Sequence, residues 1–399
     1  MFSNPWVSSK SCCCSLPHYE RRPVGAHFRT SDGSSSGARA VFFLIERGSD
    51  VSLLRRIISI DGHTLPLPLV MQIPPQDEFQ VGWICALPIE AAAAKLMLDE
   101  RYGLLNDQDP SDTNTYELGR VGIHKVVIAC LPIGQYGTTS ATLVATNMLR
   151  TFSKSLRIGL MVGIGGGIPS LDRDIRLGDI VVSSPEGTCG GVIQHDRGKR
   201  QKDGELLRTG CLNSPPRSLL NAVSALRSEC IIEESRFPGF IEEAINRNPR
   251  TSRNFARPDA SSDRLFAAQY DHTLGNDSCD ECPTAWEVCR EARDPQPVPH
   301  YGVIASGNQL IKNGVTRDAI GQDTGALCFE MEAAGLMQDF PCIVIRGICD
   351  YSDSHKNKRW QGYAALSAAA YTKELLSFVP RGQISQERLV TEVCGTLPN

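Results

Sequence analysis

From residue 79 onward the chain alternates short β-branched apolar runs with segments of helical composition. Strands are expected at Val81–Leu87, Lys125–Leu131, Ile158–Gly163, Asp179–Ser183, Tyr301–Ser306, Leu327–Met331 and Cys342–Ile348. These runs are mostly apolar on both faces, as expected of strands covered by helices on two sides. Helices are expected at Ile89–Asp99, Thr139–Phe152, Pro216–Glu229, Ala333–Asp339 and Trp360–Phe378. Alanine-rich stretches at Ala91–Ala94 and Ala364–Ala370 favour closely packed helices. Strand–helix alternation sustained over about 300 residues argues an α/β domain.

The flanks read differently. Ser, Pro, Gly and Arg dominate residues 1–39, with linker chemistry at 31–37, so 1–76 is expected to be a largely disordered tail. Pieces of 44–51 and 61–67 loosely resemble an ankyrin repeat, but one fragment buries no solenoid face alone. The main domain is expected at 77–380, with a loose tail at 381–399. Residues 231–298, rich in charge and proline, are expected to form a surface insertion that adds length without core. That insertion holds Cys279-Asp280-Glu281-Cys282, with His272 and Cys289 nearby. A CxxC without a second pair is a weak zinc signal, and reduced surface cysteines are the preferred reading.

The 15 cysteines are odd in number, and several (Cys85, Cys130, Cys328, Cys342, Cys349) sit inside apolar runs. Buried free thiols act as small hydrophobes, so a reducing, cytoplasmic setting is expected rather than a disulfide framework. Lys+Arg 41 against Asp+Glu 45 gives a net charge of −4, which argues against a basic chain built to coat nucleic acid. No apolar run reaches the ~20 residues of a membrane span, and no signal-peptide pattern opens the chain, so no membrane partner is expected.

Five places could carry chemistry. Gly163-Ile164-Gly165-Gly166-Gly167 lets backbone approach a ligand, or makes a tight turn. The dinucleotide spacing starts at Gly163 and Gly165 and fails at Ile168. Glu330-Met331-Glu332 puts two acids on one face of a core strand, which is costly unless they bind something; an acid at a helix start is the other reading. Asp350 ends an apolar strand, where α/β folds place active sites, or caps a turn. The basic run His355-Lys356-Asn357-Lys358-Arg359 is a solvated loop or a phosphate holder. Glu90, after Leu87-Pro88-Ile89, fits ordinary helix-start chemistry on its own.

Together these pieces resemble the nucleoside phosphorylase superfamily, in a version found in fungi beside receptor modules. The resemblance runs from about Val81 to Ser377. It rests on Val81–Glu90, Met161–Pro169, Arg176–Val182, Ala305–Gln309, Phe329–Ala334 and Arg346–Asp350, in the family's order. It implies a three-layer αβα sandwich around a mixed, barrel-like sheet, and cleavage of an N-glycosidic bond between ribose and a base. Asp350 then matches the acid that protonates a purine leaving group, and must itself be protonated with the help of burial or a neighbouring acid. Glu332 matches the carboxylate on the ribose hydroxyls, with Met331 packed on the sugar. Glu90 matches the base that activates water. Leu310 and Ile311 match residues flanking the base, and Trp360 an aromatic near the ribose 5′ end. Phe329, Glu330, Gly165 and Gly166 belong to the motifs that border the substrate.

Two departures are informative. Phosphorylases hold phosphate with Arg and Ser beside the glycine-rich strand. Here Met161 and Ile164 stand there and no Arg lies in Ala86–Ile89, so hydrolysis is favoured over phosphorolysis. Asn308 stands where the nucleosidases have an acid supporting purine recognition. With Trp360 near the 5′ end, His355, Lys356, Lys358 and Arg359, joined by His195, Arg197, Lys199 and Arg200, would meet a 5′-phosphate, so a nucleotide is a candidate substrate. The expected partners are a small nucleoside or nucleotide, water or phosphate, and a second copy of the chain. No cofactor or metal is implied.

Overall fold

The structure, a computed structural model, describes residues 57–60, 63–66, 73–170, 172–202, 206–272 and 279–393. The chain divides into two compact units, Met1–Val70 and Met71–Asn399. In the first, β1 (Ile57–Ile60) pairs antiparallel with β2 (His63–Pro66). The linker-like stretch 31–37 and the ankyrin-like piece 44–51 lie outside the described residues.

Strands of the second unit are β3 (Val81–Cys85), β4 (Glu100–Leu104), β5 (Tyr116–Val121), β6 (His124–Cys130), β7 (Ile158–Gly167), β8 (Ile180–Ser183), β9 (Val192–Gln194), β10 (Gly198–Arg200), β11 (Leu206–Arg208), β12 (Pro299–Ser306), β13 (Ala326–Glu330) and β14 (Cys342–Asp350). All but the small β10–β11 ladder join one ten-stranded mixed sheet in the order β13-β12-β8-β14-β7-β3-β6-β5-β4, with β9 on β12. β13 also pairs antiparallel with β7, through Cys328–Gly167 and Phe329–Gly166. That extra ladder closes β13, β12, β8, β14 and β7 into a ring of five strands, the barrel-like sheet expected from the sequence.

The helices are α1 (Pro88–Leu96), α2 (Thr138–Thr151), α3 (Arg217–Glu229), α4 (Phe237–Asn246), α5 (Pro249–Phe255), α6 (Gly314–Thr324), α7 (Gln361–Ser377), α8 (Arg381–Gln386) and α9 (Val390–Val393). α7 packs on β14, β7 and α1, whereas α2 packs on β3, where Gly82 leaves room for Met148. All nine residues of β14 are buried, as its apolar composition requires. The alanine-rich start of α7 comes so close to β14 that a Cβ on Gly347 would collide with the Ala364 carbonyl. Backbone cannot rotate away as a side chain can. Gly347→Ala is therefore expected to cost about 1–3 kcal/mol, read as a lower urea midpoint. An unchanged midpoint would mean that α7 and β14 do not approach this closely.

Three expectations change. The helix expected at Ala333–Asp339 is a 3₁₀ turn at Ala333–Gly335. Gly335 abuts the Thr138 carbonyl, and its own carbonyl accepts from the Thr142 hydroxyl at 2.6 Å rather than from a following turn. The insertion 231–298 does add core: Phe237, Ile241, Ala244, Phe255 and Leu265 join the main apolar cluster. The buried Glu374 carboxylate accepts the N–H groups of Arg236 and Phe237, each at 2.9 Å, and so fixes the start of α4 on α7. Residues 381–393 are not a loose tail, since α8 and α9 bury Ile384 and Val390; 394–399 lie outside the described residues.

Cys85, Cys328, Cys342 and Cys349 are buried free thiols, and no described cysteine is in a disulfide. Among the described residues, no helix is long and apolar enough to cross a membrane.

Candidate active site

β7, β13 and β14 meet at one end of the strand ring, and a cavity opens there. Its lining includes Glu90, Gly165, Gly166, Leu310, Ile311, Phe329, Glu330, Met331, Glu332 and Lys356, all candidates from the sequence. The glycines of β7 are required by what faces them. A Cβ on Gly163 would strike the carboxylate of Glu90, and one on Gly166 would strike Ser352 and lie 2.7 Å from Asp350 Oδ1.

Glu90 is buried at the start of α1. Its Oε2 accepts the N–H groups of Ala86 (2.7 Å) and Leu87 (2.8 Å), and its Oε1 accepts that of Ile164 (2.8 Å). Helix-start chemistry and a place in the cavity wall thus coexist in one residue. Burial pushes its carboxyl above the ordinary value, against the pull of Arg346 and the three N–H donors.

Glu330 closes β13, while Glu332 lies in the turn beyond it, so the two acids do not share a strand face. They converge on a side chain that the sequence reading left without a role, Arg346 in the middle of β14. Arg346 is fully buried, its Nη2 donating to Glu330 Oε2 and lying 3.4 Å from Glu332 Oε2. Glu330 also accepts the N–H groups of Glu332 (3.1 Å) and Ala333 (3.0 Å), so its carboxylate is committed to the protein. Glu332 is less occupied, with two long bonds, from the Gly137 N–H at 3.3 Å and from Arg346 Nη2 at 3.4 Å. An arginine inside an apolar strand requires buried acids as partners. That requirement was the available signal for Arg346.

Burial, outweighing Arg346, pushes the Glu332 carboxyl up to about 7, with Glu330 and Glu90 adding repulsion. The native state therefore keeps a proton that the unfolded chain has already released. The stability this proton represents is fully present below the ordinary carboxylate value of 4.5 and is lost as pH rises through about 7. Urea unfolding at pH 4.5 and 7.5 should show a loss of order 3 kcal/mol from this group. Glu332→Gln should remove that share, and an unchanged pH slope in the variant would contradict the assignment.

Asp350 is buried behind Gly166 and Ser352. Its Oδ1 accepts the Ser352 N–H at 3.0 Å, and its Oδ2 receives Lys356 Nζ at 2.8 Å and Cys349 Sγ at 3.1 Å. Ser352 holds φ 51, a strained left-handed turn that presents its N–H to the acid. Burial is present as expected, but the charged neighbour is an ammonium rather than a second acid. Burial draws the Lys356 ammonium down, yet Asp350 more than offsets this and the group ends above its ordinary value.

Several expected site residues lie elsewhere. Trp360 is fully buried, its Nε1 donating to Ser262 Oγ at 3.1 Å and Arg257 lying over its ring; the neighbouring Gln361 lines the cavity instead. His355 is buried and stacked on Phe266 at 4.1 Å. Arg359 makes a two-point pair with Asp280, at 3.2 and 3.1 Å. Lys358 is exposed and His195 is buried edge-on against Phe329, so of the described basic residues only Lys356 lines the cavity. Asn308 braces a loop, bonding Thr138 and donating its N–H to Asp196 at 2.7 Å, and is not in the lining. Tyr136, Gln309, Ser352 and Gln361 line the cavity without having been singled out.

The sequence profile of the phosphorylase superfamily matches residues 80–377. A nucleotide-binding leucine-rich repeat (NLR)-like protein of Hyaloscypha variabilis is 46% identical over 316 residues, which is 79% of this chain; the chain spans 31% of that relative's length. The 5′-methylthioadenosine/S-adenosylhomocysteine nucleosidase of Mycobacterium bovis is 25% identical over 308 residues, covering 75% of this chain and 96% of that protein. Among solved structures, futalosine hydrolase of Helicobacter pylori aligns over 75% of this chain and 98% of its own, at 17% identity and a TM-score of 0.47. With a family profile matched over the greater part of its length and in the region that builds the cavity, the chain belongs to the phosphorylase superfamily.

Proposed function

We propose that the chain hydrolyses the N-glycosidic bond of a purine nucleoside. The observation that carries this reading is the gathering of Glu90 and Glu332 on one cavity, with Asp350 directly behind its Gly166–Ser352 wall. In the proposed reaction the C1′–N bond breaks and its electron pair goes to the base. Asp350, which takes up a proton from solvent before the bond breaks, delivers it to that base, and Lys356 on its second oxygen then balances the aspartate charge. Glu332 holds the ribose hydroxyls and, once ionised as pH rises through about 7, places negative charge beside the cationic sugar. Water adds to C1′ and its proton passes to Glu90.

Water is favoured over phosphate as the second substrate. A dianion needs several charged donors, and the described cavity lining offers Lys356 alone as an unburied cation, already on Asp350. His355 and Arg359, two of the donors expected for a 5′-phosphate, are held by Phe266 and Asp280. The test is to incubate the full chain with adenosine, inosine, 5′-methylthioadenosine, AMP and ATP, with and without phosphate, and to identify the sugar product. Free base and free sugar, independent of phosphate, are expected. Ribose 1-phosphate formed only with phosphate would reverse the reading. Tight binding without base release would favour a sensing module, a role that the NLR-like relative makes worth measuring.

A further inference from the structure

Away from the cavity, the insertion and the loop after Asp350 come together around three side chains that the glycosidase reading does not use. One ligand atom each from His272, Cys279 and Cys282 lie within 4.8 Å of one another. We propose that these three residues bind a zinc ion that fastens the Cys279–Cys282 turn to the loop carrying Lys356.

The donor set fits the ion. Two thiolates and an imidazole suit a borderline-soft divalent metal, and three protein ligands leave a tetrahedral ion one position for water. A tetrahedral ion with bonds of about 2.0–2.3 Å separates its ligand atoms by about 3.5–3.8 Å, so a small inward adjustment closes the site. All three residues are half-buried, so solvent reaches the site.

The surroundings hold the turn from behind. The Cys282 N–H donates to the Cys279 carbonyl at 3.1 Å, which shapes the CxxC turn. Arg264 donates to both the Cys279 and Cys282 carbonyls while pairing with Glu287. Three links then run from this cluster to the 353–359 loop. The His272 N–H donates to Ser354 Oγ at 2.8 Å, Asp280 pairs with Arg359, and the metal-free Cys279 thiol donates to the His355 carbonyl at 3.4 Å, a bond given up when the thiol ionises on the metal. The His272 ring lies edge-on to His355, with centroids 5.2 Å apart. Lys356, the partner of Asp350, sits between these anchor points. An ion here would set the position of that loop while standing outside the cavity. Binding converts two thiols to thiolates and releases their two protons; no redox step is involved.

The test uses the full chain, purified with reductant and without chelator, with zinc measured by mass spectrometry. About one zinc per chain is expected. Chelator-stripped protein titrated with Co²⁺ should develop visible d–d bands and a near-ultraviolet thiolate-to-cobalt band. Cys279→Ser/Cys282→Ser should lose both zinc and the cobalt bands, and Cys230→Ser, a change at an exposed cysteine outside the cluster, should keep them. If the double variant does not fold, the thiolate band of the wild-type cobalt protein carries the test. Folded wild type with neither zinc nor cobalt bands would overturn the proposal. So would metal retained by the double variant, or a Cys279–Cys282 disulfide in the reduced preparation. None of these outcomes depends on glycosidase activity.

Discussion

Asp350→Asn is expected to lower the rate of base release by about 10²–10⁴-fold, the usual worth of a positioned general acid. Substrate binding should change little. The amide has the shape of the carboxyl and can still accept the Ser352 N–H, so the turn at Ser352 keeps its anchor. What it loses is the ability to hand a proton to the base and, in the ionised state, to pair with Lys356. Calorimetric titration beside a chromatographic base-release assay separates the two effects. A variant that releases base at the wild-type rate would remove Asp350 from the reaction, and with it the mechanism proposed above.

Arg346→Leu is expected to have the largest effect on stability, about 3–5 kcal/mol, because it strands buried carboxylates without a counter-charge. The Glu330 side chain is wholly inaccessible and that of Glu332 is 6% exposed, so water cannot substitute for the guanidinium. Adding Glu330→Gln to the same chain should recover part of the loss, since the amide carries no charge to strand. Urea unfolding of the three proteins measures both steps. A wild-type midpoint for Arg346→Leu would show that the two acids are satisfied without it.

What the sequence disclosed and what it hid follow from the range of the interactions. Strands such as Cys342–Asp350 are written in local apolar runs, and their ends came within a few residues of the expected positions. Glu332 and Asp350 drew notice as acids at the ends of apolar runs, whereas Glu90 read as helix-start chemistry until the family resemblance singled it out. α4 was legible in principle: Phe237, Ile241 and Ala244 recur at helical spacing. The charge and proline around them hid that pattern. Trp360 was not legible, because its partners, Ser262 and Arg257, lie about a hundred residues away and nothing local announces them. The partners of the basic run were hidden in part for the same reason. Asp280, the partner of Arg359, comes from the insertion 79 residues away, whereas Asp350, the partner of Lys356, is only a few residues off. His272, Cys279 and Cys282 show the reverse case, where an incomplete local motif gains its third member only through the fold.

The closed ring of β13, β12, β8, β14 and β7 has a consequence for how the site can move. A strand held on both sides cannot peel away singly, so the backbone amides in the ladders beneath Gly166, Phe329 and Arg346 are expected to be among the slowest to exchange with solvent. Lys356 and the turn at Cys279 have no such ladder. Their amides are expected to exchange by local opening, faster than those of the ring.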